Sequence, residues 1–251
     1  MSRPKLIVAN LKMNGSRESH AALMAGILNG WHASECAPAV ICPAHPYVDQ
    51  VARQLAGSAL CVGGQDVATV NEGAYTGEVS AAMLADLGCQ YAIVGHSERR
   101  THQGETDVQV LAKTRQSLAN RLTPIICVGE TRFHYESAQT ERVVMGQLQL
   151  LLDGLAADDW SRVVLAYEPL WAIGTGQGAD PLHVEGILAL IRRAIYSVAG
   201  EVANELVMLY GGSVNPENAA QLRAMPDVDG ALVGKAALVA KDFVGICRSF
   251  A

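Results

Sequence analysis

Aromatic side chains are scarce, three Phe, three Trp and seven Tyr making 5% of the 251 residues, and charged residues reach only 18%. With 50% hydrophobic residues the chain is too apolar for disorder, and its core must be mainly aliphatic. No apolar run approaches the roughly 18 residues a membrane span needs. The first one, Leu6 to Ala9, is also too short for a signal-peptide core. Basic residues form no stripe, and 19 Lys and Arg against 25 Asp and Glu leave a net charge of −6; nucleic acid is not an expected partner. There is no CxxC spacing. The six cysteines (Cys36, Cys42, Cys61, Cys89, Cys127 and Cys247) are widely spread and read as buried free thiols. Histidines other than His96 (His20, His32, His45, His102, His134, His183) lack HxxxH or carboxylate spacing for a metal and read as surface residues. The expectation is a soluble, cytoplasmic protein with no membrane partner, metal or redox cofactor.

What is present is a repeat of short apolar runs separated by helical stretches: Leu6 to Asn10, Ala39 to Cys42, Leu60 to Gln65, Tyr91 to Gly95, Thr123 to Val128, Arg162 to Tyr167, Leu206 to Tyr210 and Gly230 to Val233. Runs apolar throughout suit parallel strands covered on both faces. Between them, Val184, Ile187, Leu188, Ile191, Ile195 and Val198 follow a helical period. Asp180-Pro181 and Asn215-Pro216 are helix starts, the second ahead of a helix through Leu222. The runs begin about every 32 residues, one βα unit each. Eight units with no linker predict a single (β/α)8 barrel domain over residues 1–251, a size such barrels reach as one domain. An open doubly wound sheet would want GxGxxG after its first strand, where this chain has Asn10-Leu11-Lys12-Met13-Asn14.

In a barrel the site is built at the C-terminal ends of the strands, so the polar residues that follow each run carry the chemistry. Glycine-bearing turns follow the last three: Ile173-Gly174-Thr175-Gly176, Tyr210-Gly211-Gly212-Ser213 and Val233-Gly234. Each could be structural alone. Together, after those strands, they offer backbone N–H groups to a phosphate, so the expected ligand is a small phosphorylated molecule. Lys12, two residues past the first strand, is a surface lysine or a cation facing that anion. Asn10 is a satisfied strand-end amide or a donor to substrate. Glu168, at the end of the sixth strand, is a salt-bridged structural carboxylate or a base whose pKa burial raises. His96 precedes the helix-like Ser97-Glu98-Arg99-Arg100, and a helix N-terminus favours a neutral imidazole. A base, a neutral donor, a lysine and a phosphate cradle suit proton removal α to a carbonyl.

These segments, with Gly73-Ala74-Tyr75-Thr76-Gly77-Glu78, Ile93-Val94-Gly95-His96-Ser97-Glu98-Arg99-Arg100 and Ala166-Tyr167-Glu168-Pro169-Leu170-Trp171-Ala172-Ile173-Gly174-Thr175-Gly176, resemble the triosephosphate isomerase family from Val8 to about Leu238. The resemblance implies cofactor-free interconversion of dihydroxyacetone phosphate and glyceraldehyde 3-phosphate through an enediolate, in glycolysis and gluconeogenesis. It makes Glu168 the base, His96 the neutral electrophile, and Lys12 and Asn10 binding and polarising residues; Gly174, Ser213, Gly234 and Lys235 hold the substrate. A carboxylate base beside a neutral histidine is the established pattern for that family. Residues Pro169 to Gly178 resemble a lid over the phosphate, with Ile173 and Leu232 clamping the carboxylate. Glu98 would pair with Lys113, and Cys127 would pack near the base.

Two positions depart from the family pattern. Lys235 stands where a second glycine is frequent, a position strained if φ is positive. Gln177 replaces a frequent lysine at the lid end. The 14 residues from Asp66 to Val79 are long for a barrel loop; they cover their own barrel or, as the resemblance implies, insert into a second subunit of a homodimer, with Tyr75 and Thr76 in the interlocking loop. A Schiff-base aldolase would want an interior lysine where the sixth strand ends in Glu168. A silent paralogue would not need Lys12, His96 and Glu168 together.

Overall fold

The computed structural model describes residues 3–174, 176 and 178–251. Eight parallel strands close into a barrel in sequence order: β1 (Leu6–Asn10), β2 (Ala39–Cys42), β3 (Cys61–Gly64), β4 (Tyr91–Val94), β5 (Thr123–Val128), β6 (Val164–Tyr167), β7 (Val207–Tyr210) and β8 (Gly230–Val233). Closure comes from β1 lying against β8, with Leu6 opposite Gly230 and Ala9 opposite Val233. At Gly230 a Cβ would lie 1.8 Å from the Leu6 carbonyl oxygen, so only glycine permits that seam.

Strand pleating splits the apolar residues into two cores. Leu6, Val8, Val40, Ile93, Ile125, Leu209 and Leu232 fill the barrel interior. Ile7, Ala9, Ile41, Val94, Ile126 and Leu165 pack outward against the helices. This two-sided burial is why the strands read as continuous apolar runs. Truncating a fully buried side chain such as Ile93 to Ala costs about 2–5 kcal/mol.

Four strands match their sequence ranges, and four are shorter for local reasons. Arg162 closes the 3-10 turn Ala157–Arg162. The Leu60 N–H goes to Ser58 Oγ, and the Leu206 carbonyl accepts from Arg192 Nη1 at 3.0 Å. Gly95 takes φ +70° and gives its N–H to Glu105 Oε1. Asp180 caps the helix Pro181–Ala199 through the Leu182 N–H, and Asn215 forms a capping box on Pro216–Arg223. Val198, expected on the buried stripe, is 45% exposed, while Ile195 and Ala199 on either side of it are buried. All six cysteines are free; five are buried and Cys61 is half-buried. No helix among the described residues is long and apolar enough to cross a membrane.

Candidate active site

The C-terminal ends of the strands converge on a cavity of about 450 Å³. Asn10, Lys12, His96, Glu168, Gly174, Ser213, Gly234 and Lys235 all line it, as do Ile173 and Leu232. Strands β1, β4, β6 and β8 end at one rim, so residues far apart in sequence face one another.

Lys12 is held in a left-handed conformation, φ +53°, which costs a non-glycine residue on the order of 1 kcal/mol. Its N–H donates to Asn10 Oδ1 at 3.0 Å, and Gln65 Nε2 donates to its carbonyl at 3.0 Å. Asn10 thus serves the turn that presents Lys12. The Lys12 ammonium pairs with Glu98. Glu98 does not pair with Lys113, as the sequence suggested: Lys113 lies in a separate buried network with Asp66 at 2.7 Å and Glu105 at 2.7 Å, to which Arg99 adds contacts of 2.8 and 2.7 Å.

Glu168 is 1% exposed. Its Oε2 accepts the Ser97 N–H at 2.8 Å, and its Oε1 lies 3.0 Å from His96 Nε2. Burial alone would raise its pKa, as the sequence reading held, but His96 and the Ser97 N–H outweigh burial here and lower it. Two glycines make room for Glu168: a Cβ on Gly211 would come within 2.7 Å of its side-chain Cγ, and one on Gly129 within 1.9 Å of its backbone carbonyl oxygen. Cys127 packs beside it, and burial, reinforced by the carboxylate, pushes the thiol pKa well up.

His96 caps the helix Ser97–Gln103, its Nδ1 accepting the Glu98 N–H at 3.2 Å. An imidazolium would place a proton on Nδ1 against that donor, so the bond fixes a neutral ring with its proton on Nε2. Burial lowers the pKa of His96, while the Glu168 carboxylate opposes it and carries the net direction upward. The contact between the two side chains thus contributes to both shifts, beside the Ser97 N–H for Glu168 and Glu98 for His96.

The glycine turns are only partly free. Gly211 N–H donates to the Tyr167 carbonyl and Ser213 N–H to that of Ala172. Among the described residues, the N–H groups of Gly212, Gly234 and Lys235 donate to nothing in the chain. Lys235 is exposed and opens a 3-10 turn without positive φ, so the expected strain is absent. Gln177 lies outside the described residues, as does Thr175.

Residues 71–78 are exposed throughout, Tyr75 at 53%, and none lines the cavity of its own barrel. Of the histidines read as surface residues, His20 is buried and His45, His134 and His183 are half-buried. His20 is 2% exposed and stacks on Tyr47, His45 reaches the Asp66 carbonyl, and His183 contacts Tyr167. Ser97 was missed because it acts through its backbone; its place one residue after His96, at a helix start, is the signal that could have found it.

The Triosephosphate isomerase family model matches residues 5–250. Curated proteins named triosephosphate isomerase from Ralstonia nicotianae and Thiobacillus denitrificans are 45% and 47% identical, each match spanning 99% of both chains. The one from Dechloromonas aromatica is 47% identical over 98% of this chain and 99% of its own.

Proposed function

The chain belongs to the triosephosphate isomerase family, and on that premise we infer that Glu168, His96 and Lys12 carry the reaction, with Asn10, Gly174, Ser213, Gly234 and Lys235 around the substrate. It is an isomerase that interconverts dihydroxyacetone phosphate and D-glyceraldehyde 3-phosphate in glycolysis and gluconeogenesis. The observation that carries the assignment is Glu168 meeting His96 at 3.0 Å inside the cavity that Lys12 and Gly234 also line.

Glu168 takes the proton from the carbon beside the carbonyl, and the electron pair moves onto the carbonyl oxygen. His96 Nε2–H hydrogen-bonds to that oxygen, and the Lys12 ammonium offsets the developing charge. Returning the proton to the neighbouring carbon completes the exchange of ketone for aldehyde. When the carboxylate leaves the Ser97 N–H and the imidazole to meet the substrate, burial remains and raises its pKa, strengthening the base at the moment of use. The free N–H groups of Gly212, Gly234 and Lys235 suit the phosphate.

We further propose residues 1–251 as one domain and a cytoplasmic homodimer, with Tyr75 and Thr76 in the loop that enters the partner's site. The decisive experiment is Glu168→Ala in a coupled triose-interconversion assay. A kcat lowered by more than about 10²-fold is expected of a lost general base, with folding retained by circular dichroism. Retention of above a tenth of wild-type kcat would remove Glu168 from the mechanism.

A further inference from the structure

Beside Glu168 lies a buried cluster that the chemistry above does not use. Glu130 is fully buried, and its Oε1 accepts from Trp171 Nε1 at 2.7 Å, Tyr167 Oη at 3.1 Å and Thr140 Oγ1 at 3.2 Å. Tyr167 immediately precedes the base. Trp171 opens the run Trp171-Ala172-Ile173-Gly174, whose last two residues line the cavity.

The Tyr167 hydroxyl has one proton, and it goes to the Glu130 carboxylate. Only lone pairs are left for its second neighbour, His183 Nε2 at 3.1 Å, so His183 must donate there. His183 is the third residue of the helix Pro181–Ala199. Its ring stands edge-on to Trp171 at 5.7 Å and to Tyr135 at 5.4 Å, and Tyr135 stacks on Trp171 at 4.0 Å. One side chain from beyond Gly178 therefore grips both the residue before the base and the Trp that leads to Gly174.

We propose that His183 is a positioning residue for the isomerisation: its Nε2–H holds the Tyr167 hydroxyl and its ring holds Trp171, so that Glu168 and Gly174 are presented together. The inference rests on the roles assigned above to Glu168 and Gly174. Without the donor, Tyr167 and Trp171 lose a common reference, and the enediolate phosphate is less well enclosed. A loosely held enediolate has a competing exit. The oxyanion pair re-forms a carbonyl, the existing carbon–carbon double bond shifts to the neighbouring carbon–carbon bond, and the C–O bond to the phosphate breaks, so that inorganic phosphate leaves with that bond's electron pair.

The test is the ratio of inorganic phosphate released to triose isomerised, which does not depend on the fraction of enzyme that is folded. His183→Phe keeps a ring but no donor, and His183→Gln keeps a donor. His183→Phe is expected to raise the ratio about tenfold and His183→Gln to stay within about threefold of wild type, both inside the cost of a misplacement of about 1 Å. Tyr167→Phe, which removes the accepting hydroxyl, should match His183→Phe, and the double variant should go no further. It also carries the test if His183→Phe fails to fold. A wild-type ratio in the Phe variants, or a His183→Gln ratio as high as that of His183→Phe, would overturn the proposal. Failure of the Glu168 assignment would show separately, as activity surviving Glu168→Ala.

Discussion

The Lys12 ammonium is paired with Glu98, a carboxylate 45% exposed beside a lysine 27% exposed. The cation assigned to the substrate is thus steered by an acid that belongs to the same helix turn His96 caps. Exposed pairs are worth about 0.2–1 kcal/mol. Glu98→Gln should lower kcat by at most about fivefold, the rate equivalent of that range, and leave KM unchanged or lower, because the phosphate no longer competes with a carboxylate. Steady-state kinetics with glyceraldehyde 3-phosphate check this, and a raised KM would count against it.

Asp66 makes a pH-dependent demand on stability. Burial, only partly offset by Lys113, raises its pKa from 3.8 to about 6. A carboxyl whose folded pKa is raised contributes most below its unfolded value and loses that contribution as pH climbs through the folded one. Between pH 4 and 7 the loss is about 2 kcal/mol. Glu105, held low by Lys113 and Arg99 against its burial, works in the opposite sense, losing stability as pH falls. The Tm of Asp66→Asn minus that of wild type should therefore rise from pH 4 to pH 7. A flat difference would show that Asp66 is not penalised when ionised.

Removing residues Glu72 to Gly77 tests the dimer, since the whole stretch is exposed. Sedimentation should give a monomer and the coupled assay a sharp loss of activity. A monomer with full activity would sink the interlocking loop.

Lys235 reaches the cavity from an exposed position and brings no positive φ. If its backbone N–H serves the phosphate as proposed, the side chain is not needed for that contact, and the ammonium should add only about 0.2–1 kcal/mol. Lys235→Gly should change KM by less than about tenfold and weaken its salt dependence. A larger rise would make the side chain a direct phosphate ligand.

The barrel was legible because parallel strands buried on both faces leave unbroken apolar runs, and the residue ending each run had to face the rim. Asn10, His96, Glu168 and Gly234, picked out in that way, do line the cavity at that rim. What sequence could not give was pairing among charged groups. Nothing in the spacing distinguishes Glu98 beside Lys12 from Glu98 beside Lys113, because the choice depends on which face of each helix turns toward the barrel. The direction of the Glu168 shift was lost for the same reason: burial is written in the strand, whereas the Ser97 N–H that opposes it is a feature of the fold. His20 and His183 were misplaced because their rings are covered by Tyr47 and by Trp171 and Tyr135, from segments remote in sequence.

The seam between Leu6 and Gly230 also sets when this protein can come into being. During synthesis β1 has to wait for β8 before its second edge is paired, at about 5–20 residues added per second. Until then that edge is exposed to other chains. Lys12 and Gly234 flank this joint, so the cavity that both line takes shape only once β8 has paired with β1.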